Sequence, residues 1–424
     1  MTSLWFLAPV VVLLAAVTTE LASRWWLRHR KQYYVFPPGL RLRLHTDREV
    51  FPQLEPLLRF DTNRDGERGD EVPQRMDGVY RVLVAGGSQP EGYLLDQDSS
   101  WPGALQRLLQ RPHCLHRLRA SSVHVGNIAR SGVGSEALDL IFARVLPQYR
   151  RLQTIVVLVG ASDLLRWLEE GAPPSPPPPV QTADVFRCHP EGPFGWKPHE
   201  LASLELLRRG RRRWLRPLQV HEQTGRWVGA ARASRAAAKE IRTDMPDPTA
   251  MLDHFELCFR RLLRRAQAHA DRVIVVRQPW FEKEYSPEEA AHMWHGGVGQ
   301  VWKRAVTTYY SFDVLFRLMR LLDARAAAVA TALHVEHVDL MPLLDRSLDT
   351  YYDCFHATPA GGRAVAEVVA NEILGHPASV VEPRDQPSAV PVDRSARRAT
   401  GTWAALTIRD LRFESRSEIT NHKS

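Results

Sequence analysis

The stretch Tyr80-Arg81-Val82-Leu83-Val84-Ala85-Gly86-Gly87-Ser88 decides which fold we expect of this chain. A valine- and leucine-rich run that stops at two glycines is typical of a strand covered on both faces and followed by a tight turn. Similar runs occupy residues 123–128, 154–159, 273–276 and 333–338. Helical periodicity separates or follows them at residues 101–109, 135–146, 252–270, 312–330 and 359–374. This alternation predicts an α/β protein with three α/β/α layers around a central, mostly parallel sheet.

Composition divides the rest of the 424-residue chain. Residues 1–23 are predicted to be a membrane anchor, residues 24–78 a juxtamembrane segment, and residues 79–375 the α/β domain. A proline run at residues 173–179 opens an insertion in that domain, at about residues 171–243. Residues 376–424 are rich in Pro, Ser and Arg and are predicted to be a disordered tail.

The N-terminal segment favours a single-pass membrane helix over a cleaved signal peptide. Residues 4–17 are wholly apolar, no basic residue precedes them, and no small-residue cleavage site follows. Trp25 and Trp26 come next, together with Arg24 and Arg28, as expected at a membrane surface. Because the basic residues follow the span, the charge rule places the globular part in the cytoplasm.

The net charge and the cysteine content limit the kinds of molecule that this chain is expected to bind. The formal net charge is +8, and arginines are concentrated in runs such as residues 208–213. These runs could face nucleic acid or an anionic membrane, or be a solvated face; without any helix-turn-helix, zinc-finger or RNA-binding signature, we expect no nucleic-acid partner. The four cysteines contain no CxxC pair, and residues 61–66 begin like a calcium loop whose twelfth position is Val72 instead of Glu. We therefore expect no metal and no cofactor.

Two places in the chain could carry nucleophilic chemistry. Ser88 follows the glycines at the carboxyl end of the first strand, which is where open α/β sheets place their sites. Near the other end, the spacing of Asp353 and His356 can place both side chains on one side of a turn. The carboxylate can then hold one imidazole nitrogen while the other accepts a proton from a serine. Alone, the serine turn could be structural and the Asp-x-x-His a helix cap.

The order of four elements along the chain makes the catalytic interpretation stronger. Residues 127–132, ending in Gly132, follow the second strand, and Gly160-Ala161-Ser162-Asp163 follows the third. With the Ser88 turn and the final Asp-x-x-His, this order resembles that of the SGNH (GDSL-like) hydrolases over about residues 63–374. The resemblance extends to the residues around the Ser88 turn and to residues 358–359. Residues 63–69 also resemble a segment found in membrane-anchored members of that family.

The resemblance implies a flavodoxin-like fold and a serine mechanism that proceeds through an acyl-enzyme. Ser88 would be the nucleophile, His356 the general base and acid, and Asp353 the residue that orients the imidazole. The oxyanion hole would be formed by the amides of Ser88 and Gly132, with Ser162 where the family usually has Asn. Gly87 stands where the family usually has Asp.

Three functions remain open from the sequence. The first is a serine esterase or acyl hydrolase, whose partner is an acylated small molecule or glycan. The second is an O-acyltransferase or deacetylase on a cell-envelope glycan, suggested by the anchor and the aromatic residues of the insertion. The third is a non-catalytic binding protein, suggested by the departures at Gly87 and Ser162. Anchored relatives generally act outside the cytoplasmic membrane, which opposes the charge rule.

Overall fold

The computed structural model describes residues 4–28, 33–186, 201–214, 217–221, 224–301 and 303–375. Its strands are β1 Arg41–His45, β2 Leu57–Asp61, β3 Val79–Gly86, β4 Ser122–Asn127, β5 Leu152–Leu158, β6 Leu218–His221, β7 Glu240–Arg242, β8 Ala270–Val276, β9 Thr308–Tyr310 and β10 Glu336–Val338. Its helices are α1 Leu4–Arg28, α2 Ser88–Glu91, α3 Trp101–Leu109, α4 Pro112–Leu118, α5 Ser135–Val145, α6 Ala161–Glu169, α7 Thr182–Val185, α8 Ala202–Trp214, α9 Thr224–Ala236, α10 Thr249–His269, α11 Pro287–Ala291, α12 Phe312–Ala332 and α13 Pro359–Gly375.

The central sheet has five parallel strands in the order β10-β8-β5-β3-β4. β3 is buried along its whole length, because β4 and β5 flank it and helices cover its faces. Helices α3, α4 and α13 pack together, while α5, α6, α10 and α12 form a second packed group. The predicted three-layer α/β/α architecture with a parallel sheet is confirmed.

The last strand is shorter than its apolar run predicts. The run at 333–338 gives a strand only from Glu336, because α12 continues to Ala332 and the chain turns at His334, whose φ is +53°. The predicted helices at 101–109, 135–146 and 312–330 agree with α3, α5 and α12 to within two residues at each end.

A second, small sheet joins regions that are far apart in the sequence. β1 pairs antiparallel with β2 in the segment predicted to be juxtamembrane, and parallel with β6 of the insertion. β7 of the insertion pairs with β9. The proline run from 173 to 179 forms neither helix nor strand. The predicted tail, residues 376–424, lies outside the described residues, and the predicted division into domains stays a prediction.

Helix α1 is the only helix in the described part of the chain with the length and apolar composition of a membrane span. The candidate span covers Ala8–Leu27, and 11% of it is buried inside the structure. A signal sequence meets the same criteria of length and composition.

The carboxylate of Glu67 ties the N-terminal segment to the central sheet. It is fully buried and accepts hydrogen bonds from Asn63 Nδ2 at 2.7 Å, Arg81 Nη2 at 2.9 Å and His124 Nε2 at 3.0 Å. Burial alone would raise the pKa of Glu67, but these partners bring the pKa far below its ordinary value. Gly126 in β4 leaves the necessary space, since a Cβ there would stand 2.5 Å from the Glu67 carboxyl carbon.

Replacing this carboxylate should weaken the fold in a pH-dependent way. Because the pKa of Glu67 is lower in the folded than in the unfolded chain, its contribution is complete above about pH 4.5 and is lost as the pH falls. We expect Glu67→Gln to lower the free energy of unfolding at neutral pH by about 3–5 kcal/mol, the effect of breaking a buried pair. Chemical denaturation of the detergent-solubilised chain across pH measures this. The exposed Glu284→Gln is the control, and equal effects of both substitutions would contradict the assignment.

Candidate active site

The turn after β3 has no room for side chains at its first position. Gly86 has φ +157°, and a Cβ there would lie 1.9 Å from the carbonyl oxygen of Leu158 in β5. Ser88 then begins α2, which ends at Gly92 in the left-handed conformation. Residues 79–87 are buried, whereas Ser88 is partly exposed. The sheet edge therefore presents a single hydroxyl to its surroundings at this turn.

The structure brings Ser88, His356 and Asp353 together. His356 Nε2 lies 2.7 Å from Ser88 Oγ, and Nδ1 of the same ring lies 2.9 Å from both carboxylate oxygens of Asp353. The backbone N–H groups of Phe355 and His356 also donate to Asp353 Oδ1, each at 2.9 Å. This turn fixes the carboxylate and the imidazole relative to each other. The three side chains can pass a proton from a hydroxyl to a ring, as the sequence predicts.

Electrostatics favour an ionised Asp353 beside a basic His356. Burial opposes charge on Asp353, but the adjacent His356 and the hydrogen bonds from the turn bring the pKa of the carboxyl far below its ordinary value. Burial likewise lowers the pKa of His356, and the adjacent Asp353 carboxylate outweighs it, so that the pKa of the imidazole is raised above 6.5. A base of this strength takes a proton from a hydroxyl more readily than a free imidazole does.

Trp294 and His295 complete the surroundings of Asp353. The Trp294 indole N–H donates to Asp353 Oδ2 at 3.2 Å, and the His295 ring stacks on the indole at 3.8 Å. His295 is buried, its two ring nitrogens have no hydrogen-bond partner among the described residues, and burial lowers its pKa to about 3. A neutral, buried ring at this place keeps water away from the back of the carboxylate.

The predicted oxyanion elements converge on Gly87. A Cβ built on Gly87 would lie 3.2 Å from Ser162 Oγ and 3.3 Å from the carbonyl oxygen of Val133, which follows Gly132. Gly132 has φ +74°, a conformation that favours glycine. The three loops thus meet beside the candidate nucleophile. The roles of Ser88, Gly132 and Ser162 as oxyanion donors stay predictions.

Two carboxylates, the buried Glu91 and the partly buried Asp163, hold these loops in place. Glu91 Oε2, at the end of α2, accepts from the backbone N–H of Ser131 at 2.7 Å and from its hydroxyl. Asp163 Oδ1 accepts from the N–H of Ser135 at 2.9 Å and from its hydroxyl at 2.7 Å. Burial raises the pKa of both carboxyl groups, and the serine contacts oppose that effect. Glu91 therefore connects the turn of Ser88 to the loop of Gly132.

An open groove begins at the same loops. It contains about 580 Å³ of empty space, and Gly132 and Ser162 line it together with Trp167, Phe255 and the proline run at 173–177. Aromatic and apolar side chains beside polar loops are usual in sites for small organic ligands. The groove offers space for part of a substrate next to the candidate oxyanion hole.

Two clusters among the described residues could hold a metal ion. Glu136, His254 and Cys258 have donor atoms within 4.8 Å of one another, and so do His295, Asp353 and His356. In the second cluster, Asp353 and His356 are already engaged with each other and with Ser88. In the first, His254 Nε2 lies 3.3 Å from Glu136 Oε2, as in an ordinary ion pair. The expectation of no metal and no cofactor stays a prediction.

Comparison with known proteins gives structural neighbours only. No known family model matches the chain, and no curated protein matches it in sequence. An acetylxylan esterase from Geobacillus stearothermophilus is 13% identical, with a TM-score of 0.37, over 70% of this chain and 94% of that one. A member of the lipolytic G-D-S-L family from Veillonella parvula is 9% identical, with a TM-score of 0.36, over 68% of this chain and 94% of that one. TM-scores this low do not establish a shared activity.

Sequence reasoning did not assign roles to several residues that now surround the site. Glu91 accepts from Ser131, and Trp294 donates to Asp353. The segment 296–298 pairs through its backbone with Thr308 and Tyr310 of β9. The one signal in the sequence is the acidic residue three positions after Ser88.

The raised pKa of His356 should appear in the pH dependence of the serine's reactivity. The imidazole must be neutral to accept the proton, so the labelling rate of Ser88 should rise with pH, with a midpoint above 6.5. We expect Asp353→Asn to lower that midpoint and to reduce the rate by roughly 10⁴-fold, because the ring loses its orienting charge. Fluorophosphonate labelling, quenched at fixed times across a range of pH, measures both the midpoint and the rate. The exposed Asp349→Asn should match the wild type; an unchanged midpoint in Asp353→Asn would contradict the assignment.

Proposed function

We propose that this protein is a serine esterase or acyl hydrolase that acts through a covalent acyl-enzyme on Ser88. The observation that carries the proposal is the continuous hydrogen-bonded chain from Ser88 Oγ through His356 to Asp353. A hydroxyl is a weak nucleophile at its own pKa, and an adjacent, oriented base is what activates it. The partial exposure of Ser88 leaves the hydroxyl accessible to a substrate.

The first half of the reaction forms the acyl-enzyme. Ser88 Oγ attacks the acyl carbonyl carbon while its proton passes to His356 Nε2, and the carbonyl oxygen becomes an oxyanion. In this proposal, the amide N–H groups of Ser88 and Gly132 and the hydroxyl of Ser162 donate hydrogen bonds to the oxyanion. His356 then gives the proton to the departing alcohol oxygen, the ester C–O bond breaks, and the acyl group stays on Ser88.

The second half returns the serine. Water loses a proton to His356 Nε2 and attacks the acyl-enzyme carbonyl, and the same proton then returns to Ser88 Oγ as the carboxylic acid departs. Asp353 remains ionised throughout and stabilises the imidazolium that forms in each half. The groove that begins at Gly132 and Ser162 would accommodate part of the substrate.

A related candidate is an O-acyltransferase or deacetylase on a cell-envelope glycan. Both share the acyl-enzyme; a deacetylase lets water arrive second, whereas an acyltransferase lets a sugar hydroxyl arrive second. The observation that favours this candidate is the open groove beside Gly132 and Ser162, which leaves space for an acceptor sugar. Release of acetate from acetylated xylan without an acceptor favours hydrolysis, whereas turnover that needs added oligosaccharide favours transfer.

For location, we propose a single-pass membrane protein held by α1. The charge rule favours a cytoplasmic domain, and the resemblance to anchored relatives favours the opposite side. Protease added to spheroplasts decides between them: digestion of the domain places it outside the cytoplasmic membrane, and protection places it inside.

Removing the hydroxyl of Ser88 should abolish the chemistry. We expect Ser88→Ala to lose labelling by a fluorophosphonate probe and to reduce turnover of p-nitrophenyl acetate by roughly 10⁶-fold, as for other serine nucleophiles. The detergent-solubilised chain is suitable for both assays. Ser121→Ala, on the surface, is the control. Labelling that persists in Ser88→Ala would remove this residue from the mechanism, and no labelling of the wild type would favour a non-catalytic binding protein.

Ser162 provides a second, separate test of the site. If its hydroxyl donates to the oxyanion, Ser162→Ala should lower kcat by about 10²–10³-fold with little change in KM, because the donor acts mainly in the transition state. Ser162→Asn should retain most of the activity, since the absence of a side chain at Gly87 leaves space for the longer amide. Ser286→Ala, at an exposed helix cap, is the control. An unchanged kcat in Ser162→Ala would exclude this residue as a donor.

A further inference from the structure

Helix α8 has an exposed face that is unusual for a soluble protein. Leu201, directly before the helix, and Leu204 and Leu207 within it are 50%, 45% and 67% exposed. Arg208 and Arg211 are also exposed. Spacings of three and four residues place all five side chains on one side of the helix. The result is a stripe of three leucines that continues into arginine.

The opposite face of α8 is already occupied. Ala202 is buried against Leu27 of α1, with Leu206 packed beside them. Glu205 is also buried and pairs with Arg209 at 3.0 Å. The helix is therefore docked on the protein by one face, and the leucine stripe is its largely exposed face in the part of the chain described.

The leucine end of α8 is fixed to Glu20, in the second half of the candidate span. Glu20 of α1 accepts from the backbone N–H of Ala202 at 2.9 Å and from Ser203 N–H at 3.0 Å. Glu20 is the first charged residue after the apolar stretch, and the exposed Trp25 and Trp26 follow it. Tryptophans of this kind mark the boundary between hydrocarbon and headgroups. The leucine stripe thus begins beside the point where the uncharged stretch of α1 ends.

Charge along α8 fits the surface of an anionic bilayer. The helix contains five arginines and one glutamate. Its arginine half lies farther along the chain from the span, with the Arg209 guanidinium 4.8 Å above the ring of Tyr34. Exposed leucines beside exposed arginines are the two kinds of group that an interfacial helix presents to acyl chains and anionic headgroups.

We infer that α8 is an interfacial helix: Leu201, Leu204 and Leu207 insert at the boundary of the acyl chains, and Arg208 and Arg211 bind phosphates of anionic lipids. The inference rests on α1 being a retained membrane span. A bilayer is favoured over a protein occupant because the stripe begins beside the end of the uncharged stretch of α1 and its charge is opposite to that of anionic headgroups. This second contact would hold the catalytic domain at a fixed orientation to the membrane.

A site-specific spin label on the full chain tests the inference. Leu207→Cys carries a nitroxide in single-copy nanodiscs, with Cys188→Ser as background, since Cys114, Cys258 and Cys354 are buried. Leu257→Cys, on an exposed leucine of α10, is the matched control. We expect oxygen to relax the label at 207 strongly and a water-soluble nickel reagent to have little access to it. The label at 257 should show the reverse.

The dependence on lipid composition separates the role of the leucines of α8 from that of its arginines. With phosphatidylcholine alone, the protection at 207 should decrease relative to discs that also contain phosphatidylserine, and Arg208→Gln with Arg211→Gln should remove this difference. Fluorophosphonate labelling of Ser88, or the melting temperature if the chain is not labelled, shows that the variants are folded. Equal nickel access at 207 and 257 would overturn the inference. Protection at 207 that appears only with two copies per disc would overturn it in favour of a dimer contact.

Discussion

No side chain can stand at position 86, and the candidate site is built around that constraint. A Cβ there would overlap the carbonyl oxygen of Leu158, so β3 and β5 can approach closely only if β3 ends in glycine. Space is also limited at Gly87, because a Cβ there would lie close to Ser162 Oγ on one side and to the carbonyl oxygen of Val133 on the other. The strand therefore delivers Ser88 to the point where three loops meet. Gly87 and Ser162 are neighbours in space, so the missing side chain at position 87 leaves room for the serine hydroxyl.

Much of the fold and the core of the site could be predicted because both depend on local patterns. Continuous apolar runs identify strands buried on both faces, and β3, β4, β5 and β8 lie where those runs lie. A parallel sheet then brings the carboxyl ends of its strands to one edge. That rule explains the placement of Ser88, whereas its match with the distant His356 came from the order of the four elements and the family resemblance that this order carries.

The remainder depends on contacts that no local pattern records. Trp294 reaches Asp353 from a loop 59 residues away, and Glu67 reaches His124 from a segment predicted to be a simple juxtamembrane connection. That segment contributes two strands to a sheet completed by the insertion, because β6 adds to the free edge of β1. These long-range contacts depend on burial and hydrogen bonding in the folded chain. The sequence shows the residues that take part, but it does not show which residue pairs with which.

The separation of Ser88 from His356 along the chain has a consequence for biosynthesis. The hydroxyl is made early and its base only after 268 more residues have been added. A ribosome that stops before the turn at 353–356 releases a polypeptide with most of the parallel strands but with an unassisted serine, which is a weak nucleophile. If Ser88 is the nucleophile we propose, reactivity toward acyl groups is withheld until translation has passed the last strand, and incomplete products have no activated serine.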